Sequence, residues 1–356
     1  MTFRTSWAEV LTSLLSGNDL SAEQTAWAMD QVLTEQADPA QLAGFLVALR
    51  AKGETAAEMR GLADGMLERA IRIEVPGRTL DIVGTGGDQA HTVNISTMSS
   101  VVAAAAGATV VKHGNRAASS SSGSADVLEA LGVRLDLTPD QVLRVGERAG
   151  ITFCFAQTFH PSFRHAGSAR RALGIPTAFN VLGPLTNPAQ TRYAAIGVAD
   201  ERMAANIAGV FSDRGKDAAV FRGDDGLDEL TLSTTSRVWW VRGQDVTEHR
   251  ISPSDVGLAP APLEALRGGD ADHNAGVVRE LVQGRTGPVR DAVLLNAGVA
   301  LAITATGDSD GSGSRFGSHD DLASAVAAGV AAAATAIDSG AAASTLQRWV
   351  EATASV

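Results

Sequence analysis

The sequence predicts an α/β protein: a small N-terminal helical domain followed by a large α/β domain with a central, largely parallel sheet flanked by helices. Three observations carry this prediction. Before residue 75, apolar residues recur at helical spacing. After it, short apolar runs alternate with helical stretches. The glycine-rich segments fall at the ends of those runs, where parallel sheets place their ligand-binding loops.

The elements follow in order. Ser21 with Gln24 and Thr55 with Glu58 form capping boxes, in which a hydroxyl and an N3 side chain satisfy each other's orphan backbone donors. Asp38-Pro39 ends one helix and opens the next, which Gly53 closes. Leu42, Phe45, Leu46 and Leu49 line one face of that helix. Val75-Pro76-Gly77 breaks the pattern, so residues 1–74 read as the helical domain and 75–356 as the α/β domain. Residues 80–83, 109–111, 151–155, 218–221 and 238–242 read as strands. Residues 97–106, 124–131 and 139–149 read as helices, and the C-terminal third as alanine-rich helix interrupted by the linker-like 307–318.

Composition narrows the function. With 45% hydrophobic and 19% charged residues, the 356-residue chain can bury a sizeable core. A net charge of −11 opposes binding to nucleic acid. The one cysteine, Cys154, cannot form an internal disulfide, and the N-terminal segment lacks a cationic start followed by an apolar run. The expected location is the cytoplasm. No segment is expected to match the length and apolarity of a membrane helix.

Five constellations carry chemistry. DIVGTGGD at 81–88 follows a strand, and its glycines let backbone N–H groups approach an oxyanion; alone it serves equally as a tight turn. Thr92, Asn94, Ser96 and Thr97 precede an alanine-rich helix, where a hydroxyl is either a cap or an anion or metal-phosphate ligand at the positive helix end. KHGNRAASSSSGS at 112–124 contains one of only three lysines beside Arg116, with Ser124 expected to cap the next helix. A loop so basic in an acidic chain, held at both ends, reads as a phosphate cradle rather than as a flexible serine-rich surface loop.

The fourth constellation sets Phe153, Phe155, Phe159, Phe163 and Phe179 near His160, His165, Arg170 and Arg171. Clustered phenylalanines are ordinary core material, but an arginine among them also suits a planar carboxylate. The histidines lack the spacing of a zinc site. The fifth, GDDGLDE at 223–229, offers paired carboxylates at a strand end, either merely solvated or suited to Mg²⁺.

In this order, DIVGTGGD, NIST, KHGNR with SSSSGSADVLEALG, RRALG with FNVLGPLTNP, and GLDE resemble the anthranilate phosphoribosyltransferase family over nearly the whole chain. The resemblance implies transfer of phosphoribosyl from phosphoribosyl pyrophosphate to anthranilate, the second step of tryptophan biosynthesis. It also implies a homodimer, two Mg²⁺ ions, and a helical domain completed by part of 160–185. Carried over by motif, Gly84, Gly87, Asp88, Thr92, Asn94, Ile95, Ser96 and Thr97 contact phosphoribosyl pyrophosphate. Lys112, His113, Gly114, Asn115, Arg116, Ala117, Ala118, Ser119 and Ser120 form the main cradle, with Ser124 beside it. Gly84, Asn115 and Arg170 meet anthranilate; Ser96 ligates one Mg²⁺, and Asp228 and Glu229 the other. Lys112, His113 and Arg170 are the expected catalytic residues, with His113 either taking the amine proton or donating to phosphate. Gln89 and His91 depart from the family's usual smaller residues. A pyrimidine nucleoside phosphorylase, a transferase for another aromatic acceptor, and a non-catalytic nucleic-acid-binding relative are the alternatives. The intact KHGNR and GLDE motifs oppose the first, and the charge of −11 opposes the last.

Overall fold

The computed structural model describes residues 5–117, 121–305 and 319–356. Ala118, Ser119 and Ser120 of the expected cradle and the 307–318 segment lie outside the described residues. The N-terminal unit consists of α1 (Trp7–Leu15), α2 (Ala22–Leu33), α3 (Pro39–Lys52) and α4 (Ala56–Glu68). Each starts with a capping box: Ser6 with Glu9, Ser21 with Gln24, Asp38 with Gln41, and Thr55 with Glu58. Such caps contribute about 1 kcal/mol each, enough to fix where short helices begin.

The chain then runs β1 (Thr79–Gly84), α5 (Ile95–Ala105), β2 (Thr109–Gly114), α6 (Ser124–Leu131), α7 (Pro139–Ala149), β3 (Ile151–Phe155), α8 (Ala156–Phe159) and α9 (Gly167–Leu173). Next come β4 (Tyr193–Gly197), α10 (Glu201–Asp213), β5 (Asp217–Gly223), β6 (Ser236–Arg242) and β7 (Asp245–Ile251). Helices α11 (Ala271–Val282), α12 (Pro288–Ala305), α13 (His319–Asp338) and α14 (Ala341–Ala354) complete it. The seven strands lie in the order β3-β2-β1-β4-β5-β6-β7. Pairings from β3 to β5 are parallel, and β6 and β7 add an antiparallel edge.

Strand alternation sends side chains into two cores. Ala195, Ala219, Phe221, Val238 and Trp240 join the core built with α5, α12 and α14. Ala194, Ile196, Val198, Ala218, Val220 and Trp239 face α10 and share a core with Val10, Phe45, Leu49 and Leu62 of the N-terminal helices. Ala166, Ala169, Phe179, Leu182 and Leu185 enter the same core, so the helical unit is packed with residues far along the chain.

Two strands escape the sequence pattern. β4 (YAAIG) is buried at every position, so its small residues show no alternation. β7 (DVTEHRI) is an edge strand whose polar residues stay exposed, as edges that resist further pairing do. One expectation is corrected: Pro288–Ala305 and Asp321–Asp338 both have the length and hydropathy of a membrane span, at 1.3 each. Here 67% and 44% of those windows are buried inside the protein, because helix packing uses their apolar residues. The backbones of α12 and α13 meet at Gly298 and Gly329, where a methyl on either would overlap the other helix.

Candidate active site

The candidate residues gather at the carboxyl ends of the strands, where the chain order reverses between β1 and β4. Glycine ends both strands for a steric reason. A methyl on Gly84 would overlap Asp228 Oδ2, and one on Gly197 would overlap the Asp228 carbonyl. The 223–229 turn therefore rests directly on the two strand ends. Gly86 N–H donates to Asp228 Oδ2 at 2.6 Å, joining the first glycine loop to the acidic turn. Within the turn, Asp225 accepts from Leu227 N–H at 3.2 Å and from the hydroxyls of Thr231 (2.7 Å) and Ser233.

The electrostatics favour a cation. Burial, followed by the negative charges of Asp88 and Glu229, pushes the Asp228 carboxyl well above the usual carboxylate range. Burial likewise raises Glu229 to about 8, with Asp88 adding to the shift and Lys112 opposing it. Lys112, only 1% exposed, donates from Nζ to the Ile82 carbonyl and to Ser96 Oγ (3.3 Å). This one buried amine faces Asp81 and Glu229, and burial lowers its proton affinity below the usual lysine range although both carboxylates oppose the shift. Among the described residues, no three His, Cys, Asp or Glu side chains form a metal-holding group. Hard carboxylate oxygens that supply only part of a shell fit Mg²⁺, which keeps water and substrate phosphate ligands.

The remaining expected residues divide by position. Ser96 lies in the first turn of α5, capped at Asn94 rather than at Ser96 or Thr97. The Asn94 amide is already engaged: it donates to Ser122 O at 3.1 Å and accepts from Asn274 at 2.8 Å. Thr92 pairs with Arg267, so a late segment braces this loop. Asn115, Arg116 and Ala117 are exposed beyond β2. Asp126 closes the stem of their loop by accepting from Ala117 N–H (3.0 Å) and Gly123 N–H (2.9 Å). Gly123, not Ser124, is the N-cap of α6. Arg116 turns outward to Asp126 and Glu129 and covers the Phe155 ring.

His113 lies on the opposite face of β2 from Lys112, as adjacent strand residues must. It is buried, contacts the Gly183 carbonyl through Nδ1 at 3.0 Å, and stands 5.2 Å from the His160 ring. Burial lowers it to about 3, leaving a neutral imidazole. Arg170, on α9, lies 5.5 Å over the Phe163 ring, and burial alone lowers its pKa. Gln89 and His91 both have left-handed backbone, at φ 58° and 52°. Non-glycine residues there store strain of roughly 1 kcal/mol each.

Sequence reasoning missed the supporting polar groups. Asn187 donates to Asp81 and to the Val111 carbonyl, both at 2.8 Å, beneath the site. Its one sequence signal was an amide inside the LTNP turn. Asn296 clamps Leu230, the residue directly after Glu229, and its signal was a lone amide in an apolar helix.

Family models for glycosyl transferases match most of the chain, the helical bundle domain over residues 8–70 and the a/b domain over 76–343. An anthranilate phosphoribosyltransferase of Nocardioides sp. is 60% identical over 98% of this chain and 99% of its own. One from Streptomyces avermitilis is 61% identical over 98% and 95%. Among solved structures, the anthranilate phosphoribosyltransferase of Thermus thermophilus superposes with TM-score 0.87 at 39% identity, over 97% of this chain and 99% of that one. The Saccharomyces cerevisiae enzyme, solved in complex with PRPP (phosphoribosyl pyrophosphate) and Mg, gives TM-score 0.86 at 26% identity over 98% of both chains. Near-complete coverage in both sequence and fold leaves one assignment: this chain belongs to the anthranilate phosphoribosyltransferase family.

Proposed function

We propose that this protein transfers phosphoribosyl from phosphoribosyl pyrophosphate to the amine of anthranilate, releasing pyrophosphate, as a step of tryptophan synthesis. The observation that carries the proposal is the carboxylate pair Asp228–Glu229, joined to the first glycine loop at Gly86 and facing buried Lys112. Loss of anthranilate fluorescence on adding phosphoribosyl pyrophosphate and Mg²⁺ tests it, and unchanged fluorescence would refute it.

Anthranilate's amine is neutral near pH 7 and its lone pair is delocalised, so the leaving group must do most of the work. Departure of pyrophosphate gives an oxocarbenium-like transition state, and attack from the opposite face inverts the anomeric carbon. Gly84, Gly87, Asp88, Thr92 and Ile95–Thr97 line the donor site with the 112–120 cradle and Ser124, as the family motif assigns them. Lys112 stabilises charge on the departing oxygens from a desolvated position, where it acts most strongly. When bound, Mg²⁺ neutralises the same charge. Two ions are proposed: Ser96 would hold one, and Asp228 with Glu229 the other. Gly84 and Asn115 border the acceptor, and Arg170 orients its carboxylate. His113, buried and neutral with Nδ1 on the Gly183 carbonyl, either takes the amine proton late or donates to phosphate, and the reaction demands no strong base.

Two expected results follow. Arg170→Ala raises KM for anthranilate on the order of tenfold to a hundredfold, while KM for the donor stays nearly unchanged. A donor-only effect in steady-state kinetics would place the acceptor elsewhere. The second concerns protons. Because Glu229 holds its proton to about 8, metal binding near pH 7 must expel it. Apparent Mg²⁺ affinity should rise from pH 6 to 8, with proton uptake by the buffer visible in calorimetry; a pH-independent affinity would contradict this.

The assembly is proposed as a homodimer through the N-terminal helices, where Leu15 is 79% and Val47 42% exposed. The proposed location is the cytoplasm, consistent with a lone, buried, unpaired Cys154.

A further inference from the structure

Between β5 and β6 the chain leaves the sheet, and the buried Leu230 has no strand beside it. Its backbone groups are satisfied by a side chain instead. Asn296, fully buried on α12 among Val293, Leu295 and Ala297, accepts from Leu230 N–H through Oδ1 at 2.9 Å. Its Nδ2 donates to the Leu230 carbonyl at 2.9 Å and to the Ala292 carbonyl at 2.9 Å. A single amide thus replaces a neighbouring strand at the residue following Glu229. Burying an amide in an apolar helix costs stability unless it is fully bonded, and leaving Leu230 unpaired would cost more.

We infer that Asn296 is a positioning residue for the metal site: it fixes the rotation of the backbone that carries Asp228 and Glu229. The turn is held at its start by Asp225 and the Thr231 and Ser233 hydroxyls, at its middle by Gly86, and at its end by Asn296. Ser236 Oγ accepts from Thr231 N–H at 3.0 Å and holds the following peptide, so loss of Asn296 releases the Glu229–Leu230 peptide itself, and the Glu229 carboxylate swings with it. Helix α12 thereby becomes part of the metal site's framework while touching neither metal nor substrate.

The inference rests on the reading of Asp228 and Glu229 as the metal ligands, so the experiment separates the two. Mn²⁺ binding in the presence of phosphoribosyl pyrophosphate is read from the free-ion EPR signal for wild type, Asn296→Leu, Asn296→Ser, Val293→Ala and Asp228→Asn. Val293→Ala truncates an apolar side chain of the same helix, leaves the Asn296 amide in place and controls for loss of stability, which thermal melts record. Both Asn296 variants are expected to weaken Mn²⁺ binding by about tenfold or more. Val293→Ala should move it by less than about twofold. The smaller, hydroxyl-bearing Asn296→Ser supplies the folded variant if the leucine does not fit. Mn²⁺ affinity within about twofold of wild type in Asn296→Ser overturns the inference. Unchanged affinity in Asp228→Asn overturns the metal-site reading itself, and the inference with it.

Discussion

Replacing Asp228 with Asn together with Glu229 with Gln is expected to lower turnover by about a hundredfold to a thousandfold or more while leaving the fold intact. The amides keep the shape of the carboxyls, and an asparagine oxygen can still accept from Gly86 N–H. What disappears is the negative charge that would draw a divalent cation into the site. The same change should raise the stability of the metal-free protein. Glu229 titrates near 8 in the fold against an ordinary 4.5. The folded state therefore binds more protons than the unfolded one between those values, and stability falls as pH rises through them. Metal-free Tm of the double variant should exceed that of wild type most at pH 8, and the gap should close towards pH 5. Added Mg²⁺ with donor should raise Tm in wild type only. Near-normal turnover with unchanged metal dependence would remove these residues from the site. A gap that widens at low pH would show that their charges are not the destabilising feature.

Lys112→Met should be nearly as damaging to activity and, unlike the carboxylate change, damaging to stability. Lys112 is the buried cation that moderates both Asp81 and Glu229. Without it, the Asp81 carboxyl, already raised to about 6 by burial, would rise further, and Glu229 with it. Breaking a buried charge arrangement by removing one partner typically costs about 3–5 kcal/mol. The expected result is a fall in kcat/KM of about a hundredfold to a thousandfold, with a clearly lower urea midpoint. Arg116→Ala is the informative contrast. Its guanidinium is 44% exposed and paired on the surface with Asp126 and Glu129, contacts worth about 0–1 kcal/mol. If Arg116→Ala proved the more harmful of the two, charge in the exposed loop would outweigh charge beneath it.

That contrast also marks where the sequence was readable. Lysine and arginine four residues apart in one loop look equivalent as letters. Strand β2 is buried on both faces through its middle and takes the first inside, while the loop beyond turns the second to solvent. The carboxylates of GLDE stood out only by their place at a strand end, since acidic pairs in loops are usually just solvated, and their burial beside Gly84 and Lys112 appears only in the fold. The starts of α2, α3 and α4 were readable because capping is local chemistry, whereas the caps of α5 and α6 fall on Asn94 and Gly123 instead of the expected hydroxyls. β4 was not, since a strand of small residues buried on both faces carries no periodicity. Asn187, Asn274 and Asn296 were not either. Each satisfies backbone or side-chain groups from 66 to 180 residues away, and only the folded chain brings such partners together.

The shared core on the α10 side of the sheet bears on engineering. Residues 8–70 match a helical bundle domain as a separate unit, yet Phe45 and Leu46 pack in one core with Phe179, Leu182 and Ile207. Arg50 to Asp200, Arg60 to Asp213 and Arg214 to Asp64 tie the same helices to α10 and its ends. A cut at residue 74 would therefore leave two fragments, each with half of an apolar interior facing water. Swapping the bundle between relatives as a cassette would have to bring residues 160–185 and the matching face of α10 along with it.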